Sequence, residues 1–204
     1  MYFFKASEMT KKDKKKKLSG SVIPRPVALV LTQDEGLINI APFSYFNIVS
    51  NDPPIVSIAI QRNNGQIKDT TRNILSTKEA TLHIVSEDNV GEANKTSASL
   101  APDQSELDLT TFTLLDSTLI NTPALKEAAI RYELAFNQHI EIKNHDNEIV
   151  TDLMLLEVLA FHIDEKAYDE SRGYIIVDNL KAISRLAGSD YAMVGEQFVL
   201  KRPD

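Results

Sequence analysis

The stretch Asn39-Ile40-Ala41-Pro42-Phe43-Ser44-Tyr45-Phe46, followed by Asp52-Pro53-Pro54 and then by Lys68-Asp69-Thr70-Thr71-Arg72-Asn73, decides how this chain is read. Residues Ile55 to Ile60 form an alternating strand between the last two blocks, and Gln61-Arg62-Asn63-Asn64-Gly65 is a polar connection of turn-forming residues. Beyond it, Ile67, Ile74 and Leu75 fall at helical spacing. Asp69 or Thr70 is positioned to cap that helix, and the free amides of its first turn would face an anion with Lys68, Arg72 and Arg62 nearby. The segment therefore predicts phosphate binding where a strand hands over to a helix.

Strands extend outward on both sides. Val27 to Thr32 is a continuous apolar run suited to a buried strand, and Gln33-Asp34-Glu35-Gly36 is a hairpin turn into Leu37 to Ala41, with a bend expected at Pro42. Ala80 to Val85 follows the expected helix over 69–77. Ile130 to Ile142 and Ile149 to Ile163 flank the polar turn Asn144-His145-Asp146-Asn147, and Tyr174 to Val177 reads as one more short strand. Leu156 to Phe161 also has helical propensity, against which its place in a long β-rich run is set. Many strands with a few short helices predict a mainly β protein built as an antiparallel barrel. The chain has neither G-x-G-x-x-G after a strand nor a P-loop, so a nicotinamide substrate would bind outside a Rossmann site.

Taken with Ser21-Val22-Ile23-Pro24-Arg25-Pro26 upstream and Arg185-Leu186-Ala187-Gly188-Ser189-Asp190-Tyr191 downstream, these blocks resemble, in order, the flavin reductase-like family of FMN-binding split barrels. The resemblance implies a split β-barrel of antiparallel, Greek-key type with a few short peripheral helices, forming a single domain over 1–204. Residues 1–20 would be a Lys-rich extension, 21–165 the barrel, and 166–204 a C-terminal segment packing near the site. It also implies an oxidoreductase that binds FMN, with FAD as the alternative cofactor, and uses NADH or NADPH to reduce a flavin or another acceptor. The other reading is a non-catalytic FMN electron carrier, or a flavin-holding protein reduced by a partner. A homodimer with the flavin near the subunit interface is expected on the same ground.

The implied cofactor contacts are Arg25, Thr32, Asn39, Ala41, Pro42, Phe43, Ser44, Tyr45, Arg62, Lys68, Asp69, Thr70, Asn73 and Arg185. Flavin recognition needs donors for the ring carbonyls and acceptors for the ring N–H; the Asn39 amide, the Ser44 hydroxyl and the loop amides can supply them. Lys68 offers a point charge and Thr70 a hydroxyl with a first-turn amide, whereas Asp69 would cap or orient. Arg25 is held between two prolines, either beside the cofactor or as a solvated arginine at a kink. Arg185 and Tyr191 flank Gly188 in a block expected to close over the site, the alternative being a surface pairing of Arg185 with Asp178 or Asp190.

Composition narrows the classes further. A hydrophobic fraction of 43% over 204 residues supports a real core, and no cysteine is present, so disulfides and redox thiols are excluded and electron chemistry requires a bound cofactor. No apolar run approaches a membrane span and the start Met1-Tyr2-Phe3-Phe4-Lys5 lacks a signal-peptide pattern, so a cytoplasmic protein without a membrane partner is expected. Net charge is −7, although Lys11 to Lys17 alone holds six lysines and one aspartate, leaving about −12 for the rest. Such an acidic body disfavours nucleic acid as a partner, and the lysine run reads as a solvated helix face rather than an electrostatic tether. His83, His139, His145 and His162 lack metal-ligand spacing. His83 and His162 read as structural, while His139 is free to approach a substrate. There is no G-x-S-x-G elbow, and Glu133 and Glu141 stand at no diagnostic spacing.

Overall fold

The computed structural model describes residues 1–101 and 103–203. In chain order, helix α1 spans Lys11–Ser21. The strands that follow are β1 Arg25–Pro26, β2 Ala28–Asp34, β3 Leu37–Phe43, β4 Phe46–Asn51 and β5 Pro54–Gln61. Helix α2 (Asp69–Thr77), β6 (Glu79–Ile84) and α3 (Val90–Lys95) come next, then the two-residue strands β7 (Leu114–Leu115) and β8 (Ala124–Leu125). The long strands β9 (Ile130–Lys143) and β10 (Ile149–Ile163) lead to β11 (Tyr168–Asp169), β12 (Tyr174–Ile175), α4 (Val177–Leu180), β13 (Ile183–Arg185) and β14 (Tyr191–Met193).

Seven strands form one antiparallel sheet in the order β3-β2-β6-β9-β10-β5-β4. The two outermost strands are consecutive in the chain, joined only by Ser44 and Tyr45. Three Cα steps reach at most about 11 Å, whereas six strand spacings in a flat sheet would separate those edges by about 29 Å. The sheet must therefore curl until its edges meet, and the Ala59 amide donates to the Tyr45 carbonyl at 2.8 Å, extending the β4–β5 ladder into that connection. The result is the antiparallel split barrel expected from the sequence.

Alternation decides what the barrel holds. Val56, Ile58 and Ile60 of β5 and Met154, Leu156 and Val158 of β10 point inward with Val30, Leu82 and Leu134, and Ile74 of α2 packs against the same cluster. The other face of β2 and β3 is also covered: Leu29, Leu31 and Ile40 pack with Val85, Phe112, Leu125 and Ile183. This double burial explains why Val27 to Thr32 reads as an unbroken apolar run. The Glu106 carboxylate accepts the Ile40 amide of edge strand β3 at 3.0 Å, and burial pushes that carboxyl above its ordinary range.

Two local expectations need correction, and one strand is not read from the sequence at all. Pro42 does not bend the chain: β3 runs through it, opposite Leu29, because β3 lies at the end of the sheet order, where a missing donor is tolerated. Phe46–Asn51 forms strand β4, which the sequence hides because the adjacent Ile48 and Val49 break the alternation and are both exposed. The run from Tyr174 is a strand only to Ile175, pairing with Tyr168–Asp169, and turns helical at Val177. Leu156 to Phe161 lies within β10.

His83 anchors the sheet to its outer layer. Its Nδ1 lies 3.0 Å from the Leu29 carbonyl and Nε2 accepts the Leu125 amide at 2.9 Å, an arrangement only the neutral ring can make. Burial lowers its pKa from 6.5 to about 4. The unfolded chain thus takes up a proton that the fold refuses between these values, and stability present above pH 6.5 is lost as pH falls toward 4. Urea unfolding should register a loss of about 2 kcal/mol from this group between pH 7 and pH 5. His83→Gln, which keeps a donor and an acceptor without titrating, should flatten that slope; an unchanged slope would refute the assignment.

Candidate functional site

The seam that closes the barrel also builds a cavity. Pro42, Phe43, Ser44 and Tyr45 form one wall, Ala59 and Gln61 of β5 the floor, and Lys68 one side, enclosing about 490 Å³. The remaining wall comes from outside the barrel: Arg185, Leu186 and Gly188 on one side, and Lys12, Lys15, Lys16 and Ser19 of α1 on the other. Six cationic side chains and no carboxylate line this space.

Arg25 holds the outer walls together. Its guanidinium donates to the Ser19 carbonyl at 2.7 Å, to the Val22 carbonyl, and to the Leu186 carbonyl at 2.8 Å. One side chain thus neutralises the carbonyl end of α1 and ties it to the C-terminal block, while β1 pairs with β13 at Arg25 opposite Arg185. Arg25 is 7% exposed, and its Nε is buried without a partner beside the cavity. It is therefore neither solvated nor freely available. Arg185 stacks on Tyr191, 4.3 Å from the ring centroid, and donates to the Gly188 carbonyl, so it pairs with neither Asp178 nor Asp190. The block from Arg185 to Gly188 borders the cavity as a tight turn around Gly188, whose φ of 58° suits glycine.

Helix α2 begins at Asp69 with Lys68 as N-cap, and no side chain caps it. Asp69 and Thr70 are thus inside the first turn, one and two positions too late to cap as the sequence suggested, and Asp69 instead pairs with Arg72 at 2.5 Å. The first backbone bond is Arg72 to Lys68, so the amides of Asp69, Thr70 and Thr71 have no acceptor among the described residues. The Thr71 hydroxyl is likewise buried and unpartnered. An unsatisfied helix start with Lys68 at its lip suits an anion.

The other expected residues fall elsewhere. Asn39 donates to the Thr70 hydroxyl at 2.9 Å and to the Thr32 hydroxyl at 3.3 Å, and Asn73 donates to Thr32 at 3.1 Å, forming a buried network that docks α2 on β2 and β3. Asn39, Asp69 and Asn73 also border a separate cavity of about 290 Å³, together with Asp34, Glu35 and Arg72. Ala41 is in β3, half-buried, next to the wall residues. Arg62 grips the buried Asp152 through two bonds of 2.9 and 2.8 Å, with Glu141 at 3.4 Å, and His139 Nε2 lies 2.9 Å from the same carboxylate. Burial pushes the Asp152 carboxyl up, but Arg62 and His139 outweigh it and hold it below its ordinary range. His162 meets Glu133 at 2.6 Å, where burial is outweighed by the Thr118 and Leu119 amides and the imidazole. Arg62 borders a larger groove, about 880 Å³, that adjoins the cavity through Lys15, Arg25, Ser44, Tyr45, Ala59 and Gln61.

The lysines of α1 were not among the expected contacts. Their spacing, with Ser19 one turn on, already places Lys12, Lys15 and Lys16 on one helix face; what the sequence does not contain is which way that face points.

Residues 19–179 match the family model described as the flavin reductase like domain. An uncharacterized protein, YwrF of Bacillus subtilis (strain 168), is 45% identical over 204 residues, with all of both chains covered. The solved structure of nitrilotriacetate monooxygenase component B from Bacillus cereus superposes with a TM-score of 0.94 at 43% identity, covering 98% of each chain. That of 2-nitrobenzoate 2-nitroreductase NbaA from Pseudomonas fluorescens gives 0.88 at 28% identity, covering 99% of this chain and 96% of the other. No helix among the described residues is long and apolar enough to cross a membrane.

Replacing the Arg25 fork by the single ammonium of Arg25→Lys should free α1 and the Leu186 turn, costing roughly 1.5–3 kcal/mol. Hydrogen exchange at Leu18 to Val22 should then accelerate while the amides of β9 and β10 keep their protection. Equal loosening of both regions would refute the stapling role.

Proposed function

The chain belongs to the flavin reductase like domain family, and on that premise we propose that it binds FMN in the cavity at the barrel seam and acts as an oxidoreductase, drawing on NADH or NADPH to reduce a flavin or another acceptor. The observation that carries this reading is that Lys68, the N-cap of an uncapped helix start, and a wall at Pro42 to Tyr45 line one cationic cavity. The first suits a phosphate ester and the second a flat heteroaromatic ring with polar edges. The unpartnered Arg25 Nε beside this cavity is a group that a bound polar ligand would satisfy.

Bound FMN would supply a ring that accepts a hydride from a reduced nicotinamide and passes electrons to an acceptor. In this reading the residues of the chain bind and orient. Lys68 and the first amides of α2 hold the phosphate, and Ser44 and Tyr45 present polar atoms to the ring edge. Phe43 and Ala59 give the ring an apolar surface. Arg185, steadied by Tyr191 and Gly188, puts a positive charge beside the ring, where it favours the electron-rich reduced form. Thr32, Asn39, Thr70 and Asn73 set the orientation of α2, and Arg62 braces the end of β5 through Asp152. No general acid or base is required for hydride transfer, which agrees with the absence of an acid–base pair along the cavity.

The names of the similar proteins support an oxidoreductase reading, since one is a monooxygenase component and another a nitroreductase. A homodimer is part of the proposal. Edge strand β4 exposes Ile48 and Val49 and β10 exposes Phe161, apolar surface that a twofold mate would cover. Sedimentation at micromolar concentration should give twice the 22.8 kDa chain mass.

Equilibrium dialysis should find FMN bound more tightly than riboflavin. Lys68→Ala should weaken FMN by about 10- to 100-fold and riboflavin little. Equal affinity for the two flavins would refute the phosphate role. Anaerobic addition of NADH or NADPH should bleach the bound flavin; a stable yellow colour with both donors would instead make the protein an electron carrier.

A further inference from the structure

The flavin reading leaves charge unaccounted for. In that reading Lys68 with the α2 amides takes the FMN phosphate, Arg185 stands beside the ring, and Arg25 is committed to three carbonyls. Lys12, Lys15 and Lys16 add three further positive charges to the same cavity. None of the three forms an ion pair among the described residues, although carboxylates elsewhere pair with Lys5, Lys95 and Lys181. Keeping three like charges together on one helix face is unfavourable without an anion between them. The face is also fixed in place, because Arg25 ties the end of α1 to the opposite wall.

A hydride donor that is a dinucleotide brings two backbone phosphates, and NADPH a third. The chain has no Gly-rich fingerprint or P-loop to receive them. Side-chain ammonium groups are the remaining way to bind phosphates, and α1 supplies them at the mouth of the cavity. A polymer phosphate backbone or a lipid surface fits less well: the three lysines border a cavity, and the rest of the chain carries about −12.

We infer that the Lys12, Lys15 and Lys16 face of α1 is a second anion subsite of this cavity and holds the phosphates of the nicotinamide dinucleotide, NADPH more tightly than NADH. The inference rests on reading the cavity as the flavin site. Lys11, Lys14 and Lys17 lie on the same helix and do not line this cavity, Lys11 and Lys14 bordering the adjoining groove instead, so they provide a control of equal charge that separates the two spaces. The test compares FMN-loaded wild type with the triple variants K12A/K15A/K16A and K11A/K14A/K17A; alanine keeps the helix in both. Equilibrium dialysis measures NADP+, NAD+ and, as competitor, adenosine 2′,5′-bisphosphate; flavin fluorescence measures FMN affinity separately.

The cavity-face triple should bind NADP+ at least tenfold more weakly, with FMN affinity within twofold of wild type, while the control triple stays within twofold for both. Adenosine 2′,5′-bisphosphate should displace NADP+ from wild type, and adenosine should not. Equal losses in the two triples would reduce the effect to general surface charge and overturn the subsite. A parallel loss of FMN would assign these lysines to the flavin phosphate instead. Wild type that binds FMN but not NADP+ overturns the subsite alone, whereas wild type that fails to bind FMN overturns the flavin reading beneath it.

Discussion

Two residues, Ser44 and Tyr45, join the opposite edges of a seven-stranded sheet, and this short connection constrains everything else in the molecule. It forces the sheet to close, brings β5 against the β3–β4 corner, and leaves at the seam a concave wall of half-buried residues. The same closure confines Val56, Ile58, Ile60, Met154 and Leu156 to a sealed interior, so the scaffold behind the cavity is rigid. The site is therefore a by-product of how the barrel shuts rather than an addition to it.

The walls that the barrel cannot provide are supplied by the chain ends. Helix α1 has no fully buried residue and would not be held by packing. Arg25 compensates by binding the last carbonyls of α1 and the Leu186 carbonyl with one planar group, which fixes a lysine-bearing helix and an arginine-bearing turn across from each other. On the inner side, α2 is docked through the Thr32, Asn39, Thr70 and Asn73 network, which keeps its unsatisfied first turn next to Lys68. Cationic charge is thereby collected at one end of an otherwise acidic protein, a distribution that concentrates small anions there.

Much of this was legible in the sequence. The hairpin from Val27 to Ala41, the long strands around Asn144 to Asn147, and the helix over 69–77 followed from periodicity and turn chemistry, and ordered blocks of residues carried the family. What the sequence did not contain was set by long-range packing. Pro42 looked like a bend because its tolerance depends on β3 being an edge strand, a property of the whole sheet. Nothing local to Asn39 reveals Thr70 as its partner, 31 residues on. Nothing local to Arg62 reveals Asp152, 90 residues away, as its own. The lysine run is a solvated helix face, as the sequence suggested, but that Lys12, Lys15 and Lys16 also border the cavity depends on a turn at the other end of the chain.

The most direct measurement is a crystal structure of the chain grown with FMN. The account predicts flavin density at the barrel seam, with the phosphate on the first turn of α2 beside Lys68 and the ring against Phe43 to Tyr45. Flavin bound in the cavity beyond Asn39 and Asn73, in the groove beside Arg62, or nowhere at saturating FMN would contradict it.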